Sequence, residues 1–345
     1  MDASTGMKGN DINIGLVGLG RLGTMHADNI ANKIKHAKLV AICDANQDQL
    51  QKTKKELDVP HGYALFDEML ENKALDAIVI VTPSSLHCEQ IEQALNAGHH
   101  VFCEKPLGVN TDDSIKAKDA VIQHPDNVFM LGFMRRYDPS YQFAKSKLEN
   151  GDIGKPVLFR SYSVDPISSI DSVLSYIPHS AGQFVDMAVH DIDLARWFLN
   201  SEPTSIYAIG GCFAYPEFGK YDDGDNVSAL MQFENKAMAF FLAGRTAPHG
   251  YNVETEIIGT KSTIRIGSVP QKNLVEIIDS KGVRKECSQS FHERFEEAFK
   301  NEIQEFVDCI RDGRQPEVSV NDGVQSSKIA ELATKSFKNN ELIQL

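Results

Sequence analysis

Within residues 184–198, FVDMAVHDIDLARWF, Asp186, His190 and Asp193 recur at intervals of four and three, the spacing of one helix face. At roughly 100° per residue the three side chains fall within about 60° of one another. The rest of the segment, from Phe184 and Val185 to Trp197 and Phe198, is too apolar for a solvated helix. A carboxylate–imidazole–carboxylate stripe on such a helix is open to three readings. Asp-x3-His-x2-Asp could offer three ligands to a zinc ion and leave one position open. An imidazole that titrates near neutrality, with a carboxylate one turn away, suits proton transfer. The third reading is a buried or solvated ion-paired edge without chemistry.

A second set lies near the start of the chain. Gly18-Leu-Gly20-Arg-Leu-Gly23 matches G-x-G-x-x-G, follows the apolar run INIGLVG (12–18) and opens the helical pattern LGTMHADNIANKI. In that context the glycines serve a tight turn, close approach of backbone to a pyrophosphate, and helix–strand contact. The helix N-terminus then favours the phosphate charge. Asp44 ends the second apolar run, where an acid accepts from ribose hydroxyls and repels a 2′-phosphate, so NAD is expected over NADP. His26 is expected to pack inside that helix rather than to catalyse.

The elements that must position these residues fall into two kinds. Residues 12–134 alternate helical patterns with the apolar runs INIGLVG, KLVAICD (38–44), LDAIVIVTP (75–83), HHVFCEKP (99–106) and NVFMLGFM (127–134). Near-continuous Val/Ile/Leu runs separated by helices predict a parallel, doubly wound α/β sheet buried on both faces. Ligands bind at the carboxyl edge of such sheets. Arg21 and Leu22 in the glycine turn, Thr82, Pro83, Ser84 and His87 after one strand, and Glu104 and Lys105 after the next are therefore candidate cofactor residues. Lys105 is a cation on a turn stiffened by Pro106.

From about residue 155, strand-like runs follow one another without crossover helices. FENKAMAFF and IDSKGVRKE read as hairpins, and two helices close the chain. This predicts an α+β domain over 135–345 with a large, mostly antiparallel open sheet. Residues 1–11 read as a flexible tail.

Bulk properties exclude little but point one way. The 345 residues suit two domains. A formal charge of −13 argues against nucleic acid or an anionic membrane as partner. No stretch approaches a membrane span or a signal sequence. Six cysteines without a CxxC pair suit reduced thiols in the cytoplasm. A nearby ammonium would oppose a cation at the stripe, and no metal is expected.

The segments GLGRLGTMHADNI, TPSSLH, EKPLG, GFMRRYDP and DMAVHDIDLARW together resemble the glucose–fructose oxidoreductase/inositol dehydrogenase (Gfo/Idh/MocA) family, in the family's order. GFMRRYDPSY and HDIDLARWF are most similar to inositol 2-dehydrogenases. The resemblance implies a Rossmann domain joined to an open-sheet domain that supports oligomers, commonly homotetramers. It implies a catalytic set of Lys105, Asp186 and His190. Met134 and Arg135 would face substrate, and Tyr251 would contact a polyol. Ser163 and Asp165 stand where relatives carry His and Asn, and Met187 replaces a hydroxylated residue beside the acid.

The implied reaction is oxidation of myo-inositol or scyllo-inositol to a 2-keto-inositol, with His190 as base and Lys105 stabilising the alkoxide. Asp165, Asp186, Asp193 and Arg135 are candidate hydroxyl partners, Asp193 the least constrained. The same chemistry on a hexose, a redox-neutral use of bound NAD, and a non-catalytic NAD-binding regulator are the alternatives.

Overall fold

The computed structural model describes residues 11–177, 180–267 and 271–345. Most of the tail, and the short segments 178–179 and 268–270, lie outside the described residues. The chain divides into two units. The first ends at Met134 and takes back Glu297–Ser327; the second is Arg135–Glu296 with Lys328–Leu345.

In the first unit, the strands β1 (Ile12–Val17), β2 (Ala37–Cys43), β3 (His61–Tyr63), β4 (Ala77–Ile80), β5 (His100–Glu104) and β6 (Phe129–Gly132) form one sheet in the order β3-β2-β1-β4-β5-β6. Every pairing is parallel. The crossovers are α1 (Arg21–Asn32), α2 (Gln47–Glu56), α3 (Phe66–Leu70), α4 (His87–Asn96) and α5 (Thr111–Gln123). β4 and β6 are buried at every residue, as their unbroken apolar runs require. The order reverses between β1 and β4, so the carboxyl end of β1 lies between those of β2 and β4. That crevice is where such sheets bind ligands. Local signals start and stop the helices: Asn46 and Asn110 cap α2 and α5, and Gly98, at φ +90°, follows α4. The basic run near Lys52 is the surface of α2, with Lys54 and Lys55 in its last turn, where cations offset the helix dipole.

The second unit holds α6 (Pro139–Glu149), β7 (Pro156–Pro166), α7 (Ile170–Tyr176), α8 (Val189–Leu199), β8 (Pro203–Gly211), β9 (Asn226–Phe233), β10 (Met238–Ala247), β11 (Asn252–Gly259), β12 (Thr263–Ile266), β13 (Gln271–Asp279) and β14 (Gly282–Cys287). The chain closes with α9 (Phe291–Asp312), α10 (Val320–Asn339) and β15 (Ile343–Gln344). Seven strands form a sheet in the order β12-β11-β7-β10-β9-β8-β15. Only β7 and β10 run parallel. β9 alternates Val227, Ala229, Met231 and Phe233 inward with Leu230 outward, the period-two pattern of a sheet covered on one face. On the covered face, Phe198 of α8 meets Phe159 of β7, and Phe184 meets Phe241 of β10. The two expected hairpins are β9–β10 and β13–β14. The C-terminal β15, too short and polar to be read from pattern, extends the sheet beside β8.

Two expectations are revised here. Residues 297–327 pack with the first unit rather than with the open-sheet domain; the unit boundary falls in α9 just after Phe295, whose backbone is non-helical (φ −118°, ψ 20°). The helix carrying the opening stripe is also not uniform. Phe184–Ala188 forms a π-helical turn before α8 begins. A π turn takes more residues than an α turn, so Asp186 does not share the angular register assumed for a regular helix.

No helix among the described residues is long and apolar enough to cross a membrane.

Asp193 leaves the α8 surface to meet Arg136, whose Nε and Nη2 bond its two carboxylate oxygens at 2.8 and 2.6 Å. Both side chains are buried. Removing one member leaves an uncompensated interior charge, so Asp193→Ala is expected to cost about 3–5 kcal/mol of stability in denaturant unfolding.

Candidate active site

In the first unit, β1 runs into the glycine turn. Gly18 has φ +92°, and a Cβ there would stand 2.5 Å from the Val81 carbonyl. A Cβ on Gly23 would stand 1.8 Å from the Gly18 carbonyl, so helix and turn touch backbone to backbone. Gly20 is different: a Cβ there meets nothing within 4 Å. It faces a cleft of about 450 Å³ lined by Leu19, Gly20, Arg21, Thr24, Asp44, Asn46 and Gln49. Gly20 is the N-cap of α1, yet no side chain caps the helix and its first turn has no acid. Open N–H groups at a bare helix end suit a pyrophosphate.

Asp44 accepts from Leu19 N–H at 2.6 Å and Asn46 N–H at 2.7 Å. Each carboxylate oxygen keeps a second lone pair for a ribose hydroxyl. The residues present therefore fit a dinucleotide. The cleft gathers Gly20, Arg21 and Asp44 of the expected set, and adds Thr24, Asn46 and Gln49, which sequence reading missed.

Thr82, Pro83 and Ser84 follow β4, and Lys105 follows β5, at the same carboxyl edge of the sheet. Thr82 Oγ1 is 2.5 Å from Gln90 Oε1. Two other expected cofactor residues point inward. His87 is buried, its ring nitrogens 2.8 Å from the Pro106 carbonyl and 2.9 Å from that of Thr82. It clamps the two strand-end turns together instead of reaching into the cleft, and burial pushes its imidazole below the usual range. Glu104 is buried against His26 of α1, Oε1 to Nε2 2.8 Å. His26 is fully buried, as expected of a helix-packing residue.

The second unit builds an acid and imidazole site. Arg245, from β10, reaches Asp165 of β7 and Asp186 of the π turn, both at 2.5 Å, and Gln183 at 3.1 Å. Tyr176 donates to Asp186 at 2.8 Å. Burial works against the Arg245 charge, but Asp186 and Asp165 outweigh it and hold the proton on. Burial and the Asp186 charge push the Tyr176 phenol up, so it stays a donor. Asp165 and Asp186 are therefore pinned and only partly exposed. His190 is buried on the first turn of α8.

Arg135 is 3% exposed and bonds Ser163 at 3.0 Å and Asp191 at 2.9 Å. Ser161 and Ser163 also donate to Asp191. Tyr251 is buried beside this arginine and against Phe295. Met187 is buried under Gln183, whose Nε2 is 3.2 Å from its sulfur. Met134 is buried in the short turn after β6. Thus Asp165 and Asp186 share one centre with Arg245. Arg135 and Ser163 share another with Asp191, and Asp193 is committed to Arg136 rather than to a metal set with Asp186. Sequence reading missed Arg245, Tyr176 and Asp191. The available signals were a lone arginine inside the apolar strand AMAFFLAGRT and a third acid beside His190.

A parallel sheet in this order with a glycine turn defines a dinucleotide-binding oxidoreductase fold, here joined to a mixed open-sheet unit. Residues 12–133 match the oxidoreductase family described as an NAD-binding Rossmann fold, and residues 141–265 match the GFO/IDH/MocA C-terminal domain. The chain belongs to the Gfo/Idh/MocA family of NAD-binding oxidoreductases.

It is 34% identical to the scyllo-inositol 2-dehydrogenase (NAD(+)) of Bacillus subtilis, covering 97% of both chains. It is 33% identical to the myo-inositol 2-dehydrogenase of Thermotoga maritima, over 96% of this chain and 98% of that one. Among solved structures, scyllo-inositol dehydrogenase from Lactobacillus casei, with bound NAD(H) and scyllo-inositol, matches with a TM-score of 0.94 and 45% identity. That match covers 97% of this chain and 99% of that one.

Two glycine variants separate folding from binding. Gly20→Ala should fold with an unchanged melting temperature but bind NAD about tenfold or more weakly by fluorescence titration, since its methyl enters the cleft. Gly23→Ala should lose stability itself. Arg245→Met, which leaves Asp165 and Asp186 without their shared cation, is expected to lower kcat/KM for the polyol at least tenfold or so; an unaltered value would remove Arg245 from the site.

Proposed function

We propose that this chain oxidises a secondary alcohol of a cyclic polyol, scyllo-inositol or myo-inositol, to the 2-keto-inositol. Full-length likeness to the Lactobacillus casei enzyme holding NAD(H) and scyllo-inositol carries this reading. NAD, when bound, supplies the hydride acceptor. His190 takes the hydroxyl proton as the carbonyl forms, and Lys105 stabilises the developing alkoxide charge.

Asp186, held by Arg245 and Tyr176, accepts from a neighbouring substrate hydroxyl and so orients the ring. Asp165, on the same arginine, offers a second acceptor. Met134, Arg135, Met187 and Tyr251 complete the substrate-binding set of this reading. Gly18, Gly20, Arg21, Leu22, Gly23 and Asp44 hold the dinucleotide, with Thr82, Pro83 and Ser84 at the neighbouring strand end.

We further read the chain as a cytoplasmic homotetramer. Its six cysteines are free, with Cys43 and Cys309 pushed up to about 12 mainly by burial, which suits a reducing compartment. The uncovered sheet face presents Ile209, Leu230 and Met238 to solvent, an apolar surface suited to a second copy. Light scattering at micromolar concentration tests the assembly.

Purified protein with NAD and either inositol should produce NADH, faster at alkaline pH where proton loss is favoured. No turnover across cyclitols and hexoses would sink the dehydrogenase reading. His190→Ala and Lys105→Ala should each lower kcat by about 100-fold or more while NAD binding survives.

A further inference from the structure

Behind Lys105, three acid–base groups converge from α1, β5 and the later part of α9, all within the first unit. The ligand atoms of His26, Glu104 and Glu302 lie within 4.8 Å of one another, and all three side chains are buried. Aromatic rings enclose them: His26 lies edge-on to Phe102 and Phe299, and Phe102 meets Phe306. Gly132 makes room, since a Cβ there would stand 3.0 Å from Glu104 Oε2.

The two carboxyl groups have unlike surroundings. Glu104 meets two donors: His26 Nε2 at 2.8 Å on one oxygen and the Lys105 main-chain N–H at 3.2 Å on the other. Glu302 is fully buried, and among the described residues neither of its oxygens has a hydrogen-bond partner. Two like charges this close in a protein interior repel by several kcal/mol even at an effective dielectric constant of about 20. One proton must stay, and the carboxyl without donors keeps it.

We propose that Glu104 is a positioning residue for Lys105, the single anion of a buried carboxyl pair whose proton Glu302 holds. The Glu104 carboxylate then grips the Lys105 main chain from inside the sheet. His26 acts through Glu104, fixing its other oxygen. In accord with this division, burial and the Glu104 charge push the Glu302 carboxyl well above the usual range. The inference rests on Lys105 taking part in the reaction.

Infrared difference spectra of wild type against Glu302→Gln should show a protonated-carboxyl carbonyl band that shifts in D2O and vanishes in the variant. Glu302→Gln, neutral and of equal size, should keep kcat within about twofold. Glu104→Gln should lower kcat about tenfold or more with NAD affinity unchanged by titration. The proposal fails if the band is absent, if Glu104→Gln retains full kcat, or if it weakens NAD binding as much as it lowers kcat. A stoichiometric divalent metal in the purified protein, lost in Glu302→Gln, overturns it as well. Lys105→Met, assayed alongside, separates the two ideas. Full activity there removes Lys105 itself, whereas an inactive Lys105→Met with an active Glu104→Gln removes only the positioning role.

Discussion

Three carboxylates between residues 186 and 193 enter the interior of the second unit, and each meets an arginine from another element: Asp186 meets Arg245, Asp191 meets Arg135, and Asp193 meets Arg136. A charge taken out of water is costly unless it meets an opposite charge. Matching therefore dictates where the helix can sit on the sheet. Arg245 comes from β10, while Arg135 and Arg136 come from the turn ahead of α6, so the pairs tie the helix to the sheet and to that turn. Trp197 adds to this by packing between Arg136 and Lys145, the latter bonding its carbonyl at 2.7 Å near the end of α8. His190 inherits a fixed place from these neighbours.

The first unit solves a different problem, holding open space beside backbone. Of the three glycines of its turn, Gly18 and Gly23 are filled against neighbouring chain and Gly20 is left bare. Asp44 works on both sides of that difference: its carboxylate fastens the turn through the Leu19 and Asn46 amides, and its free lone pairs remain at the cleft. Fastening of the loop and lining of the cleft thus share one side chain.

Much of this was legible in the residues. Unbroken apolar runs announced the parallel sheet, and alternation without crossovers announced the mixed one, because strand burial on one or two faces imprints different periods. The glycine turn, Asp44 and the segment 186–193 were legible for the same reason, local spacing. Partners distant in sequence were not. Nothing near Asp186 announces Arg245, 59 residues on, nor does anything near Glu104 announce Glu302. His87 and Glu104 were placed at the ligand because they follow strand ends, but a side chain at that edge can equally turn inward. Residues 297–327 were assigned by sequence order, although contacts across space decide where a terminal helix packs.

The π turn at Phe184–Ala188 has a separate consequence. It amounts to one residue looped into an otherwise regular helix, and it acts as a swivel between two lengths of chain. Within it, Asp186 answers to the sheet through Arg245; downstream, His190 and the two paired acids answer to α8. Because the swivel separates the two registers, the aim of the acid and the seat of the imidazole can be tuned independently. In the reading proposed above, with Asp186 gripping one substrate hydroxyl and His190 deprotonating another, such independence would let the first contact change without disturbing the second.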